Sequence, residues 1–438
     1  MMTLPKSAAR CMAVLENAGF AAYAVGGCVR DSLLGLTPHD YDLCTAADPE
    51  QMKQLFRDFP LVLAGEKHGT VGVIIGGEVV EITTFRTEGQ YLDNRHPAHV
   101  EFVTDIESDL SRRDFTVNAM AWSPNRGLCD PFGGREDLKS RTLRAVGDPA
   151  TRFREDSLRI LRGVRFAVRY GLVPEPATES AMISLSPLMD NLARERVFDE
   201  LCKLLPLVTA GDLLRFAPVL CQVIPELQPL VGFQQHTVHH AYDIFTHTAH
   251  VAEHVPAQPV LRWAALLHDI GKPACFTLDG EGCGHFYGHA KVSAQMADAI
   301  LRRLKASTAL RERVVLLIEQ HMTPLTPDKK LLRRRLAQYG AETVAQLLAL
   351  QQADTKGTGV TEGALDFNGV EPLLSELLAE DACLSIKDLA VNGHDLMALG
   401  YSGPAIGKAL QQLLALVLDE RIPNEKAALI AALQEETL

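Results

Sequence analysis

Apolar positions along the chain change rhythm near Leu143. Before that point short apolar runs stop at glycines and alternate with amphipathic stretches; after it apolar residues recur every three or four positions, the spacing that lines one face of a helix. The pattern predicts a helix over 6–18 stopped by Gly19, a strand over 20–25 stopped by Gly26-Gly27, and a second strand over 41–45. The runs 70–75 and 79–85 around Gly76-Gly77 read as a hairpin. Helices are predicted over 154–170 and 192–205, with proline-rich breaks at Pro174-Glu175-Pro176 and over 225–229. Residues 234–359 are helical and rich in histidine, and the last stretch is Leu/Ala-rich helix. No fixed-period repeat is present. The expected fold is therefore multidomain, with an α/β domain over 1–142 followed by all-α parts over 143–230, 231–360 and 361–438.

A chain of 438 residues exceeds one ordinary hydrophobic core, which supports that division. Its 47% hydrophobic and 22% charged residues, with mean hydropathy +0.03, exclude a disordered or low-complexity chain. No apolar run reaches the roughly 18–20 residues of a membrane span, and the start lacks the apolar core of a signal peptide, so a soluble, cytoplasmic protein is expected. Nine cysteines without a C-x-x-C pair fit reduced thiols better than disulfides or a zinc knuckle. A net charge of -12 excludes a uniformly cationic nucleic-acid surface. It leaves room for a local one, because residues 141–169 hold eight arginines against three acids.

The first candidate chemistry lies between the first two strands. Gly26-Gly27-Cys28-Val29-Arg30-Asp31 follows a strand and opens a helix, so backbone N–H groups can approach an anion while Arg30 adds charge. Ten residues on, Asp40-Tyr41-Asp42 would point both carboxylates to one side of a strand. Such a pair is costly without a cation, and two Mg²⁺ ions would both relieve the repulsion and polarise nucleotide phosphates for in-line displacement. Alone, the glycines also fit a plain tight turn and the acids a solvated strand edge. Together, in this order, they favour phosphoryl chemistry.

These residues, with Leu33-Leu34-Gly35, resemble the head domain of class II tRNA nucleotidyltransferases, the CCA-adding enzymes of the polymerase-β-like superfamily. Further motifs follow in family order. Arg112-Arg113-Asp114-Phe115-Thr116-Val117-Asn118 resembles the ribose- and phosphate-contacting motif, and Asp130-Pro131-Phe132-Gly133-Gly134 the head-to-neck spring. Glu155-Asp156-Ser157-Leu158-Arg159 resembles the base-selecting motif, and Arg194-Glu195-Arg196-Val197 with Glu200 the helix that supports it. The resemblance implies catalytic Asp40 and Asp42 with Glu81 as third carboxylate, and nucleotide binding by Gly26, Gly27, Arg30, Arg112, Arg113, Asp114, Asn118, Glu155, Asp156, Arg159, Arg162 and Arg165. It also implies Mg²⁺, CTP, ATP and tRNA as cofactor, substrates and partner, and no membrane.

On a predicted helix Asp156 and Arg159 share a face, so a carboxylate acceptor and a guanidinium donor can imitate the Watson–Crick edge of a complementary base. Cytosine and adenine both offer an exocyclic amino group to such an acceptor. The segment from Thr84 through Tyr91 and Arg95-His96-Pro97 to Arg112 resembles the flexible loop of CCA- and A-adding members, while the arginine-rich signature of poly(A) polymerases is missing where Leu63 to Thr70 stands. CCA addition is the expectation; A-only addition or poly(A) polymerisation is the alternative.

His268-Asp269 ends an apolar helix and resembles an HD-type metal phosphohydrolase motif. The family order implies His247, His268, Asp269 and Asp354 as ligands of a divalent transition metal, with His289 and His321 serving a second metal or a phosphate. A reading from another class is an HD phosphohydrolase whose head is a regulatory nucleotide sensor; Asp40, Asp42 and Arg113 argue against it. The tail from Asn392 to Asn424 resembles the C-terminal region of some bacterial CCA-adding enzymes, expected to hold the tRNA elbow.

Overall fold

The computed structural model describes residues 2–88, 100–360, 367–379 and 383–434. Tyr91, Arg95, His96 and Pro97 of the expected loop lie outside them. The chain forms two compact units, residues 1–208 with 215–225, and residues 209–214 with 226–438.

The first unit is built on strands β1 (Ala22–Val25), β2 (Leu43–Thr45), β3 (Leu61–Val62), β4 (Thr70–Ile75), β5 (Glu78–Thr84), β6 (Arg86–Glu88), β7 (Val100–Phe102), β8 (Ala121–Ser123) and β9 (Gly127–Cys129). Seven make one sheet in the order β3-β4-β5-β2-β1-β8-β9, and β6 and β7 form a separate antiparallel ribbon. β2 lies between β1, antiparallel with Ala22 opposite Thr45, and β5, parallel with Leu43 opposite Ile82. That register carries the residues just ahead of β2 towards Glu81. The expected hairpin is β4–β5, and its Gly76-Gly77 turn has φ of 62° and 86°, which glycine adopts without steric cost.

Two expected elements differ. The second strand starts at Leu43, so Asp40-Tyr41-Asp42 precedes it; only the Asp42 carbonyl, accepting from Val25 N–H at 3.0 Å, extends the pairing with β1. The expected helix over 154–170 is two helices, Pro149–Glu155 and Leu158–Tyr170. Asp156 between them is extended, φ -139° and ψ 103°, and its Oδ1 accepts from Leu158 N–H at 3.1 Å. A short carboxylate that bonds a nearby backbone donor competes with the helix ladder, which is why the break falls there.

Helix Leu158–Tyr170 joins the sheet through fully buried Phe115, whose ring lies 5.9 Å from Phe166, edge to face, and 6.3 Å from Phe153. Helix Arg194–Leu204 packs beside it. The second unit is mainly helical, and Pro259–Leu267, which carries fully buried Trp263, packs against Ile244–His254, His289–Arg303, Thr308–Gln320 and Ala341–Gly357. The C-terminal helices close on a cluster that includes Val391, Leu396, Leu413 and Leu429. Two-stranded pairings, Thr142–Leu143 with Val173–Pro174 and Thr277–Leu278 with Gly284–His285, interrupt the helical region expected after Leu143. None of the nine cysteines, all among the described residues, is in a disulfide. Among the described residues no helix is long and apolar enough to cross a membrane.

Candidate active sites

The glycine turn and the acidic residues of the first unit meet at one end of β1 and β2. Gly26 has φ 70° and ψ -121°, and a Cβ there would lie 2.8 Å from Nη1 of Arg113. The bare glycine is what admits that guanidinium. Asp40, Asp42 and Glu81 line one cavity of about 840 Å³ with His39, Tyr41, Glu78 and Ser7. The Asp42 side chain reaches solvent, yet its carboxyl is raised above its ordinary range by lost solvation and then by Glu81, with Arg113 opposing and Asp40 adding to the rise. These three carboxylates share a cavity without bringing three oxygens within 4.8 Å of one another.

Arg30 differs from expectation. Instead of being open to an incoming anion it is 5% exposed, donating to the Asp31 carboxylate at 2.8 Å, to Tyr170 Oη at 2.5 Å and to Asn118 Oδ1. The cation at the glycine turn is Arg113. Arg112 and Arg113 are both held by Asp109, a fully buried carboxylate at 2.9 and 3.3 Å that the sequence reading missed. Desolvation works to raise Asp109, but the two arginines hold it below the usual carboxylate range.

Asp114, 7% exposed, accepts from Asn118 Nδ2 at 2.9 Å and from Arg162 Nη2 and Nε at 2.6 and 2.9 Å. Burial alone would raise its carboxyl; Arg162 and Asn118 overcome that and bring it down to about 2. Arg159 donates to Glu155 Oε2 at 2.6 Å and to the carbonyls of Arg152 and Arg112 at 3.1 and 2.9 Å. Asp156 does not pair with Arg159 on a helix face as expected, because the helix breaks there. It is held by Arg196 at 3.0 Å, while Arg165 donates to Glu200 at 2.6 Å, so helix Arg194–Leu204 buttresses the segment from two points.

In the second unit the six predicted ligands converge. Nε2 of His247 lies 3.0 Å from Asp354 Oδ1 and 3.4 Å from Asp269 Oδ2, and Nε2 of His268 lies 3.2 Å from Asp269 Oδ2. Asp269 turns its other oxygen to His289, at 3.3 Å, and to His321, at 3.9 Å. His247, His268 and Asp354 thus form one compact trio and Asp269, His289 and His321 a second. Nδ1 of His268, His289 and His321 each meets the backbone carbonyl three residues earlier, at 2.7–2.8 Å, which fixes the tautomer with Nε2 free to ligate.

The electrostatics fit a cation. Burial lowers His268, but Asp269 and Asp354 push it up to about 10; burial and then His268 push His321 down to about 4. Both oxygens of buried Asp269 also lack a hydrogen-bond donor in good geometry, although Lys272 Nζ stands 2.6 Å from Oδ2. The cluster opens into a cavity of about 660 Å³ lined in part by His240, Lys272, Phe286, Tyr287 and Met322. Lys272 had a possible signal, one turn beyond His268-Asp269; His240 had none, because only folding brings its ring within 4.8 Å of His247.

Residues 22–144 match the family described as "Poly A polymerase head domain", residues 171–227 "Probable RNA and SrmB- binding site of polymerase A", and residues 285–433 "tRNA nucleotidyltransferase domain 2 putative". The chain is 34% identical to the CCA-adding enzyme of Streptococcus gordonii over 99% of both chains. It is 36% identical to that of Levilactobacillus brevis over 96% of this chain and 95% of the relative. Its fold matches the Bacillus stearothermophilus CCA-adding enzyme in complex with CTP, with TM-score 0.73, 28% identity, and coverage of 100% and 98% of the two chains. A Thermotoga maritima CCA-adding enzyme complexed with tRNA shares the fold at TM-score 0.59 and 22% identity, over 99% and 96% of the two chains.

Proposed function

The chain belongs to the CCA-adding enzymes, and from that membership together with the site geometry we infer that it adds CCA to the 3′ end of tRNA, using CTP and ATP as substrates. One observation carries the reading at residue level. Arg113 over the glycine turn, beside the cavity of Asp40, Asp42 and Glu81, belongs to the same packed unit as the Glu155, Asp156 and Arg159 segment.

In this reading Asp40 and Asp42, with Glu81 as third carboxylate, hold Mg²⁺. When bound, Mg²⁺ neutralises triphosphate charge and favours ionisation of the attacking tRNA 3′-hydroxyl. Gly26 and Gly27 let the triphosphate approach the backbone, and Arg113, steadied with Arg112 by Asp109, meets its charge. Asn118, Asp114 and Arg162 support the ribose side. Arg159 uses three of its five N–H groups on Glu155 and two carbonyls, which leaves Nε and one Nη2 hydrogen for a base edge. Asp156, fixed by Arg196, supplies the acceptor that an exocyclic amino group requires. Arg30 and Arg165 act from behind, on Asn118 and Glu200.

The chain is read as a head over 1–142, a neck and body over 143–230, a metal-binding part over 231–360 and a tail over 361–438 that contacts tRNA, in a cytoplasmic enzyme. The two ligand trios favour a second activity, divalent-metal-dependent phosphoester hydrolysis in the 231–360 part, where a bound transition metal would activate water.

Purified enzyme is incubated with tRNA ending before CCA. CTP alone should give two added residues, both nucleotides the full CCA, and ATP alone no extension. Extension only of tRNA already ending in CC would identify an A-adding enzyme, and a long A tract a poly(A) polymerase.

A further inference from the structure

Tyr170 is the last residue of helix Leu158–Tyr170, three turns beyond Arg159, and it had no place in the motifs. Its hydroxyl accepts from Arg30 Nη2 at 2.5 Å, and the Arg30 guanidinium lies over its ring, 4.2 Å from the centroid. Arg30 follows the glycine turn directly: its N–H donates to the Gly26 carbonyl at 3.1 Å, and a Cβ on Gly27 would stand 3.6 Å from its Nη2. Arg30 also donates to Asn118, Asn118 to Asp114 at 2.9 Å, and Arg162 to Asp114 at 2.6 Å. Arg162 lies on the same helix as Tyr170. The side chains therefore close a ring that leaves the helix at Arg162, passes behind the glycine turn, and returns at Tyr170.

A nucleotide held as described above touches both sides of this ring, its phosphates at the glycine turn and its base near Arg159. The two sides come from distant parts of the chain, with Arg30 and Tyr170 separated by 140 positions. We propose that Tyr170 is a positioning residue for nucleotide addition, locking the glycine turn to the base-selecting helix through Arg30. The inference rests on the nucleotide reading above. Tyr170 touches neither substrate; it limits movement of one binding side against the other, and such alignment is what brings a hydroxyl and a phosphate to reacting distance.

Tyr170→Phe deletes the hydroxyl and keeps the ring under Arg30. Steady-state addition of C and of A, with the thermal midpoint measured in parallel, should show kcat lowered about tenfold for both nucleotides and nucleotide KM changed less than about twofold, the signature of alignment lost in the transition state. The midpoint should move by no more than about 2 °C, since the half-buried ring keeps its place under Arg30. Arg30→Lys, which also gives up the bond to Asn118, should lower kcat at least as much, and Arg30→Lys/Tyr170→Phe should be no worse than Arg30→Lys alone, because Tyr170 acts only through Arg30. A Tyr170→Phe kcat within about twofold of wild type, or losses that multiply in the double variant, would overturn the inference and leave the family reaction standing. A wild-type enzyme that adds no CCA would overturn the underlying reading and this inference with it.

Discussion

Replacing Asp114 by Asn tests whether the buried carboxylate at the centre of the head site holds charge as the geometry requires. Asp114 sits among Arg162, Asn118 and Arg159, and its carboxyl falls from 3.8 to about 2 in the folded chain. At 1.36 kcal/mol per pH unit, that difference contributes about 2 kcal/mol of stability at neutral pH. Because the folded value is depressed, the contribution is complete above about pH 5, about half remains at pH 3, and the rest is lost as pH falls through 2. Asp114→Asn keeps the shape and removes the charge, so it should destabilise the first unit by about 2 kcal/mol at pH 7 and by about half that at pH 3. The chain has two tryptophans, Trp122 in the first unit and Trp263 in the second. Urea unfolding followed by Trp122 fluorescence in a Trp263→Phe background therefore reports the first unit alone. An equal loss at pH 7 and pH 3 would refute the electrostatic argument and assign the effect to packing.

Asp42→Ala should abolish incorporation of both nucleotides with tRNA affinity within about twofold, measured by primer extension and filter binding; appreciable turnover by the folded variant would remove Asp42 from the catalytic set. Gly26→Ala places a Cβ 2.8 Å from Arg113 at φ 70°, and should lower addition at least tenfold and stability by about 1–3 kcal/mol; unchanged kcat/KM would show that Arg113 is not needed where it stands. The two ligand trios predict that metal-replete enzyme holds two divalent transition-metal ions per chain in this cluster, and that Asp269→Ala, which removes the carboxylate that belongs to the second trio and whose Oδ2 faces His247 and His268 of the first, loses them while CCA addition stays within a few-fold; elemental analysis finding no bound metal in the wild type would contradict the assignment of the cluster.

What the sequence determined by itself was local. Gly26-Gly27 after an apolar run, Gly76-Gly77 between two β-rich runs and His268-Asp269 at the end of an apolar helix are short-range patterns, and the glycines mark places where the chain can turn. The residues His247, His268, Asp269, His289, His321 and Asp354 were legible as a set only through the resemblance to the HD-type order, and folding brought all six together. Which way a long side chain turns is a different matter. Arg30 reads as an anion ligand beside its glycines, but Asn118 and Tyr170, 88 and 140 positions away, offer it a buried acceptor pair and a ring, and the guanidinium turns inward. Arg113 takes the place beside Gly26 because Asp109 holds it there, and Asp156 leaves the helix because Leu158 N–H and Arg196 compete for its carboxylate. Charged groups leave water only for partners, and the partners of these three meet only when the sheet and helices are assembled. The tertiary structure alone therefore decided which arginine stands beside Gly26 and which hydroxyl, that of Tyr170, meets Arg30.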